Sequence, residues 1–365
     1  MKVVLVTHHA VDADRMTGFH FWADLLDKQG IKVDWITVGF SRITGLKKNA
    51  RTYTRPYNVW VSLTENLQKY VWRPLLHPAD LGSKSANLLA WPLFALYPRM
   101  LPNEVRVEIA DADLFIVESG AGGTLVPELA KLCPSAKFLY NFSDRYSVVK
   151  YHPIIPHTDK SALRHYDMIR VNAAVVAEEF PPDAPVVYIP QAIDKTLFDS
   201  ATVSPYRGPR NAISIGDMLF DAAAIETLAE RFPDWTFHVF GRSAKITKAM
   251  PNVIEYGEFP FTKLVPYLRF ADIGLAPYRY SDQADYLSQS SLKMVQYTYC
   301  QLPIVAPFFA AKGRDHVIPY EAANVRDTIA SAFDAAIGYD RSKIDKNSVL
   351  DWQQMLQQMM SVMER

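Results

Sequence analysis

Short apolar runs alternate with segments long enough to be helices, and they do so in two successive series. Residues 3–6, 33–38, 114–117, 138–140, 168–171 and 186–189 form the first series; residues 212–215, 236–240, 253–256, 273–275 and 304–306 form the second. Unbroken apolar runs of this length suit strands buried on both faces, and strand–helix–strand order builds a parallel sheet with crossover helices. Between the first two runs Phe19, Trp22, Leu25 and Leu26 recur at helical spacing, and Gly30 follows as a helix terminator. A chain of 365 residues exceeds the size at which one core keeps growing, so two doubly wound α/β domains are expected. The proline- and turn-rich stretch 189–209 separates them. The first domain is expected to span 1–193 and the second 194–346. Residues 347–365, where Val349, Trp352, Met355, Leu356, Met359 and Met360 recur every three or four positions, should form an amphipathic helix returning to the first domain.

Charge narrows the choice of partners. The 39 Lys and Arg residues balance 39 Asp and Glu, which argues against a nucleic-acid partner held by overall charge, and 49% hydrophobic residues argue against disorder. Cys133 and Cys300 are far apart with no CxxC spacing, so buried reduced thiols are expected. No window approaches the ~18 apolar residues of a membrane span, and the run after Lys2 is too short for a leader, which points to the cytoplasm. Locally the balance fails: the first 100 residues carry 13 basic against 7 acidic side chains. Between Arg42 and Arg99 the basic residues are interleaved with Tyr53, Tyr57, Trp60, Tyr70, Trp72 and Trp91. That mixture suits a membrane interface; the alternative is a region that packs on its own domain.

Ligand-binding motifs are selective in what is missing. The first strand leads into Thr7-His8-His9-Ala10 rather than GxGxxG, and no P-loop occurs. In the second series the strand 212–215 ends at Gly216, followed by Asp217 and Met218, a turn whose backbone can face a diphosphate. A second cluster runs Ala276-Pro277-Tyr278, then Ser290-Ser291-Leu292-Lys293-Met294-Val295-Gln296. There a helix start, serine hydroxyls and the Lys293 cation converge on one place, with Gln296 a turn further along the same face. Asp12-Ala13-Asp14 and Asp111-Ala112-Asp113 lack the strand-end context of a metal-holding DxD and are expected to be surface acids, so no metal is expected.

The ordered stretches FHFWADLL, GFSRITGLK, DLFIVESG, FLYNFSDRYS, AISIGDMLFD, WTFHVFG, VIEYGEF, IGLAPY, YLSQSSLKMVQY and LPIVAP run from residue 19 to 307. In this order the chain resembles glycosyltransferase family 70, of the GT-B fold. The resemblance implies two Rossmann-like domains facing across a cleft and inverting, metal-independent transfer without a cofactor. It further implies transfer of glucuronate from UDP-glucuronate to a polyprenyl-diphosphate-linked oligosaccharide during exopolysaccharide assembly. Such an enzyme would lie peripherally on the cytoplasmic face of the inner membrane, through the segment around 42–99. The general base carries over onto Asp144, in Ser143-Asp144-Arg145. Donor contacts carry over onto Met218, Glu258, Tyr278, Leu292, Lys293 and Gln296, beside Gly216 and Ser291. Tyr278 would offer a hydroxyl to a phosphate, Lys293 a charge to diphosphate or uronate, and Gln296 an amide to ribose. His9, His20 and Glu118 are candidates for the acceptor side. Leu292 and Asp217 depart from the family pattern. A UDP-sugar epimerase, or a transferase using another UDP-sugar, has the same fold and stays open at this point.

Overall fold

The computed structural model describes residues 1–13, 16–44, 55–143, 145–146, 149, 151–281 and 284–364. It divides into two compact units, Met1–Ile189 with Gln353–Arg365, and Pro190–Trp352.

In chain order the first unit contains β1 (Lys2–Thr7), α1 (Gly18–Lys28), β2 (Lys32–Thr37), β3 (Trp60–Ser62), β4 (Leu67–Val71), α2 (Lys84–Ala95), α3 (Asn103–Glu108), β5 (Leu114–Glu118), α4 (Val126–Leu132), β6 (Lys137–Phe142), α5 (Ile154–Ala162), β7 (Met168–Val171) and β8 (Val186–Tyr188). Its strands form one sheet in the order β3-β4-β2-β1-β5-β6-β7-β8, parallel except for the β3–β4 pair. Every residue of β1 and β5 is buried, as the unbroken apolar runs require. α1 packs Phe19, Trp22, Ala23 and Leu26 inward, and the chain leaves it through Gly30 at φ +73°.

The second unit contains β9 (Ala192–Ile193), α6 (Lys195–Asp199), β10 (Asn211–Ile215), α7 (Ala222–Arg231), β11 (Thr236–Phe240), β12 (Val253–Gly257), α8 (Phe261–Phe270), β13 (Ile273–Leu275), α9 (Leu287–Ser290), α10 (Leu292–Tyr299), β14 (Ile304–Pro307), α11 (Phe308–Ala311), β15 (Val317–Tyr320), α12 (Val325–Ile337) and β16 (Leu350–Asp351). α13 (Trp352–Met363) begins at its end and lies almost wholly in the first unit. The parallel sheet runs β12-β11-β10-β13-β14-β15, the doubly wound order in which the chain reverses direction between β10 and β13. A core of Phe237, Val239, Ile225, Leu228 and Phe333 packs one face of this sheet under α7 and α12.

β9 and β16 pair with each other, Ala192 to Leu350 and Asp351 to Ile193. The two segments that pass between units are thereby joined inside the second unit, so its limits stand a few residues outside the expected 194–346. α13 buries Met355, Leu356, Met359 and Met363, and Lys137 Nζ donates to the Met363 carbonyl.

The segment 42–99 differs from its expected role along part of its length. Residues 60–62 and 67–71 form an edge hairpin, and Lys69, Tyr70 and Trp72 are buried. Lys69 reaches Asp12 at 3.0 Å, the Tyr70 hydroxyl donates to Glu104 at 2.8 Å, and Trp72 stacks on Tyr97 at 4.6 Å. These aromatics and this cation therefore belong to the domain's own packing, not to a membrane face. Tyr53 lies outside the described residues.

One glycine inside the second sheet shows how tightly its centre is built. A Cβ on Gly274 would lie 2.6 Å from Cδ2 of Tyr297, whose ring rests on β13. Tyr297 cannot yield, because its hydroxyl accepts the Ile215 N–H at 3.1 Å and faces the carbonyls of Ile213 and Leu275 at 3.1 and 3.2 Å. Gly274→Ala is expected to destabilise the chain by about 1–3 kcal/mol through overpacking, read as a fall of several degrees in a thermal melt; an unchanged Tm would show that the ring moves aside freely.

Candidate functional site

Open α/β sheets bind ligands outside the carboxyl ends of their strands, where strand order reverses. In the second unit that place is the end of β10 beside the end of β13. β10 runs into Gly216, which takes φ +82° and donates its N–H to the Phe240 carbonyl at 2.8 Å. The amide of Gly216 is thus engaged by the sheet, and the glycine contributes the space a side chain would fill. An added Cβ there would meet Lys293 Cε at 3.8 Å and Nζ at 3.9 Å.

Lys293 comes from the first turn of α10. Ser291 caps this helix and accepts from the Met294 N–H, while the Tyr278 hydroxyl and the Ser291 Oγ share a hydrogen bond of 2.6 Å. Tyr278, expected to bind phosphate through its hydroxyl, is buried with that hydroxyl engaged; its ring instead lies 4.7 Å from the Lys293 ammonium. The ammonium is shut off from solvent and, among the described residues, has no hydrogen-bond partner. Burial pushes its pKa down to about 7, against the attraction of Asp217.

Asp217 itself is turned elsewhere. Its Oδ1 accepts the N–H groups of Ser243 at 2.6 Å and Ala244 at 3.0 Å, beyond the end of β11. Gly241 permits this approach, since a Cβ there would sit 2.7 Å from the same oxygen. The departure at 217 therefore builds a loop contact and acts on the lysine charge only from a distance.

The other donor-side candidates are spread along the same edge. Met218 is half exposed, and Leu292, also exposed, is the residue before Lys293. Gln296 is buried one turn further along α10. Glu258 is exposed after the end of β12, two strands away from β10. Gly216, Tyr278, Ser291 and Lys293 are the candidates brought into one cluster.

The reversal point of the first unit lies between β1 and β5. Glu118, the last residue of β5, is buried there and accepts from the Thr7 hydroxyl, from the His8 N–H at 3.2 Å, from His8 Nδ1 at 2.9 Å and from His9 Nε2 at 3.2 Å. A carboxylate only accepts, so the ring nitrogens that face it carry protons. Burial alone would raise the Glu118 pKa, but His8 and His9 hold the carboxylate well below the usual range. The ligand atoms of His8, His9 and Glu118 lie within 4.8 Å of one another, yet each already takes part in this hydrogen-bonded cluster.

His20 has a different role from the expected acceptor contact. Its Nδ1 accepts the Thr17 N–H at 3.0 Å and its Nε2 donates to the Ala10 carbonyl at 2.8 Å, closing the start of α1. Burial lowers its pKa, which keeps the ring neutral for this double role. Asp144 lies outside the described residues. Asp12 and Asp111 pair with Lys69 and Lys2.

Residues 5–172 match the family model for the glucuronosyltransferase GumK, N-terminal domain. Over 336 residues, 91% of this chain and 84% of the relative, the sequence is 26% identical to the UDP-glucuronate:glycolipid 2-beta-glucuronosyltransferase of Xanthomonas campestris pv. campestris. Among solved structures, a sucrose-phosphate synthase from Thermosynechococcus elongatus superposes with TM-score 0.65 at 13% identity, covering 100% of this chain and 98% of that one. A trehalose-phosphate synthase from Burkholderia xenovorans gives TM-score 0.63 at 12% identity with 100% of both chains covered.

The shielded ammonium predicts a pH signature. Its folded pKa is depressed, so between about pH 7 and pH 10 the unfolded chain binds more protons at this position, and folding stability rises with pH. Lys293→Met removes that contribution. The Tm of the variant should exceed that of the parent most at pH 7 and least at pH 9; a constant offset would place the ammonium in contact with water. With two parallel-sheet units, the GT-B architecture of its structural neighbours and a sequence similar to GumK along most of its length, the chain is a GT-B glycosyltransferase that resembles GumK.

Proposed function

We propose that the protein transfers glucuronate from UDP-glucuronate to a lipid-linked oligosaccharide, with inversion at the anomeric carbon. The observation that carries the donor half is Lys293: its ammonium is shielded at the strand-order reversal of the second unit and, among the described residues, has no hydrogen-bond partner, an environment that suits an anion. A diphosphate supplies the missing negative charge, and so does a uronate carboxylate. In the transfer, the acceptor hydroxyl oxygen forms a bond to the anomeric carbon while the bond from that carbon to the diphosphate oxygen breaks. UDP departs with the electron pair, stabilised by Lys293, and the hydroxyl proton passes to Asp144. No metal or further cofactor enters this scheme. The name of the 26%-identical relative carries UDP-glucuronate as donor and a glycolipid as acceptor, which is what favours this sugar and a lipid-borne acceptor over other UDP-sugars and over epimerisation.

UDP release from purified protein tests this directly, with UDP-glucuronate, UDP-glucose and UDP-N-acetylglucosamine each assayed with and without lipid extract from a polysaccharide-producing strain. Release with UDP-glucuronate and dependent on lipid is expected, and Lys293→Met should lose UDP binding as well as turnover. Equal release from another donor would refute the sugar, and lipid-independent formation of an isomerised UDP-sugar would replace transfer by epimerisation.

A lipid-borne acceptor requires the first unit to meet a bilayer. Among the described residues no helix is long and apolar enough to cross one. α2 and its C-cap offer a surface contact instead: Leu88, Leu89 and Leu93, with Leu96 just after the helix, are 46–81% exposed. Lys84 is exposed at its start and Arg99 in the turn that follows it. The opposite side is docked by buried Phe94 and by a hydrogen bond of 2.9 Å between His152 Nε2 and the Asn87 carbonyl. Exposed leucines on a helix flanked by cations suit the headgroup region of an anionic membrane at its cytoplasmic face. Flotation with phosphatidylglycerol vesicles should recover the parent protein, and Leu88→Ser/Leu89→Ser/Leu93→Ser should lose most of that recovery with little change in Tm. Undiminished flotation would move the contact to another surface.

A further inference from the structure

The strand-order reversal of the first unit brings together three side chains with metal-binding chemistry. His8 and His9 follow β1 directly, Glu118 ends β5, and the pairing of Val6 with Val117 sets the two strand ends side by side. His8 Nδ1 lies 2.9 Å from Glu118 Oε2, and His9 Nε2 lies 3.2 Å from Oε1. One ligand atom from each of the three residues falls within 4.8 Å of the other two. A tetrahedral zinc ion, with bonds of about 2.0–2.2 Å, sets its ligand atoms about 3.3 Å apart. The separations here are close to that value, so a small outward movement of the two rings makes room for an ion.

These ligands are also braced as metal ligands are. Glu118 is buried, and its Oε2 accepts from the Thr7 hydroxyl and from the His8 N–H at 3.2 Å. The His9 backbone is fixed on both sides: its N–H donates to Thr7 Oγ1 at 3.1 Å, and its carbonyl accepts from Trp35 Nε1 and Thr37 Oγ1, each at 3.1 Å. Outer hydrogen bonds of this kind orient the inner ligands. The imidazoles themselves stay 32% and 26% exposed, which leaves an ion a way in. His20, with its ring 6.3 Å from that of His9, is engaged with Thr17 and Ala10 and supplies no fourth ligand.

We propose that His8, His9 and Glu118 bind a divalent transition-metal ion of the zinc class, with water completing its coordination. The ion and the ring protons are alternatives at one place. Each facing nitrogen gives up its proton, to the other nitrogen of its ring or to solvent, and turns a lone pair to the metal where it had turned an N–H to the carboxylate. Two imidazoles with one carboxylate suit zinc, whereas magnesium and calcium take oxygen ligands. The ion clamps the end of β1 to the end of β5 and supplies no step of the transfer proposed above.

The test titrates the full chain, first stripped with a chelator, with zinc sulfate by calorimetry, and follows its Tm with zinc or with magnesium. Zinc is expected to bind in a 1:1 ratio and to raise the Tm, as a ligand of the folded state does, while magnesium leaves it unchanged. His9→Ala removes a partly exposed ligand and should weaken zinc binding at least tenfold. Thr7→Val keeps all three ligands, loses one hydrogen bond to Glu118 and should weaken binding about tenfold. The absence of 1:1 binding by the parent overturns the proposal. So does undiminished binding by His9→Ala, which moves the ion elsewhere, and so does an equal rise in Tm with magnesium. His8→Ala removes a second ligand independently and keeps the comparison possible should His9→Ala not fold.

Discussion

Tyr297 binds the two halves of the second sheet at the place where their order reverses. Strands β10 and β13 are neighbours there, and the hydroxyl from α10 accepts the Ile215 N–H while facing the carbonyls of Ile213 and Leu275. Buried backbone groups without partners are expensive, and at a reversal point no further strand can satisfy them. One side chain closes the ladder and, in the same act, fixes the helix on which Lys293 stands one turn earlier. Gly274 is the corresponding concession, since only hydrogen leaves the ring flat on the strand. The position of Lys293, and with it of the proposed anion site, is therefore set by backbone hydrogen-bond satisfaction.

The two units solve the same topological problem with opposite electrostatics. At the end of β1 and β5 a buried carboxylate is surrounded by donors until every visible demand is met: Thr7, the His8 amide and two imidazoles all face Glu118. At the end of β10 and β13 a buried cation has no hydrogen bond among the described residues and rests over an aromatic face. A satisfied cluster orients groups, whereas an unsatisfied one attracts a ligand of the missing charge.

Much of the architecture was legible because parallel strands buried on both faces leave a compositional trace that needs no knowledge of partners. All eleven strand positions expected from apolar runs are strands in the structure. β3 and β4 escaped for the converse reason. Leu67-Gln68-Lys69-Tyr70-Val71 looks polar in sequence, and its burial depends on Asp12 and Glu104, distant residues that neutralise Lys69 and engage Tyr70. β15 contains Pro319 and sits at the sheet edge, where a missing N–H is tolerated. In the site, Lys293 after two serines at a helix start was readable from local chemistry. Tyr278 was placed there too, but its hydroxyl's partner, Ser291, is decided by the packing of a helix against a strand end. His20 carried a signal that was available: it stands three residues after Thr17, the spacing of a capping box, with imidazole in the place usually taken by Glu or Gln.

Asp217 bears most directly on the anion site proposed at Lys293. An acid adjacent to Gly216 and near a buried lysine would ordinarily form an ion pair and cancel the charge a diphosphate needs. Its Oδ1 is instead claimed by two backbone amides beyond β11, and the glycine at 241 is what lets those amides come close. Backbone donors hold a carboxylate at no cost in side-chain entropy, whereas Lys293 would have to order a long chain to compete. The acid therefore contributes to the lysine only through longer-range attraction, which opposes the loss of its proton without occupying its donors. Lys293 is in this way kept chargeable and, among the described residues, without a hydrogen bond, a combination that fits the proposed ligand, which bears both negative charge and hydrogen-bond acceptors.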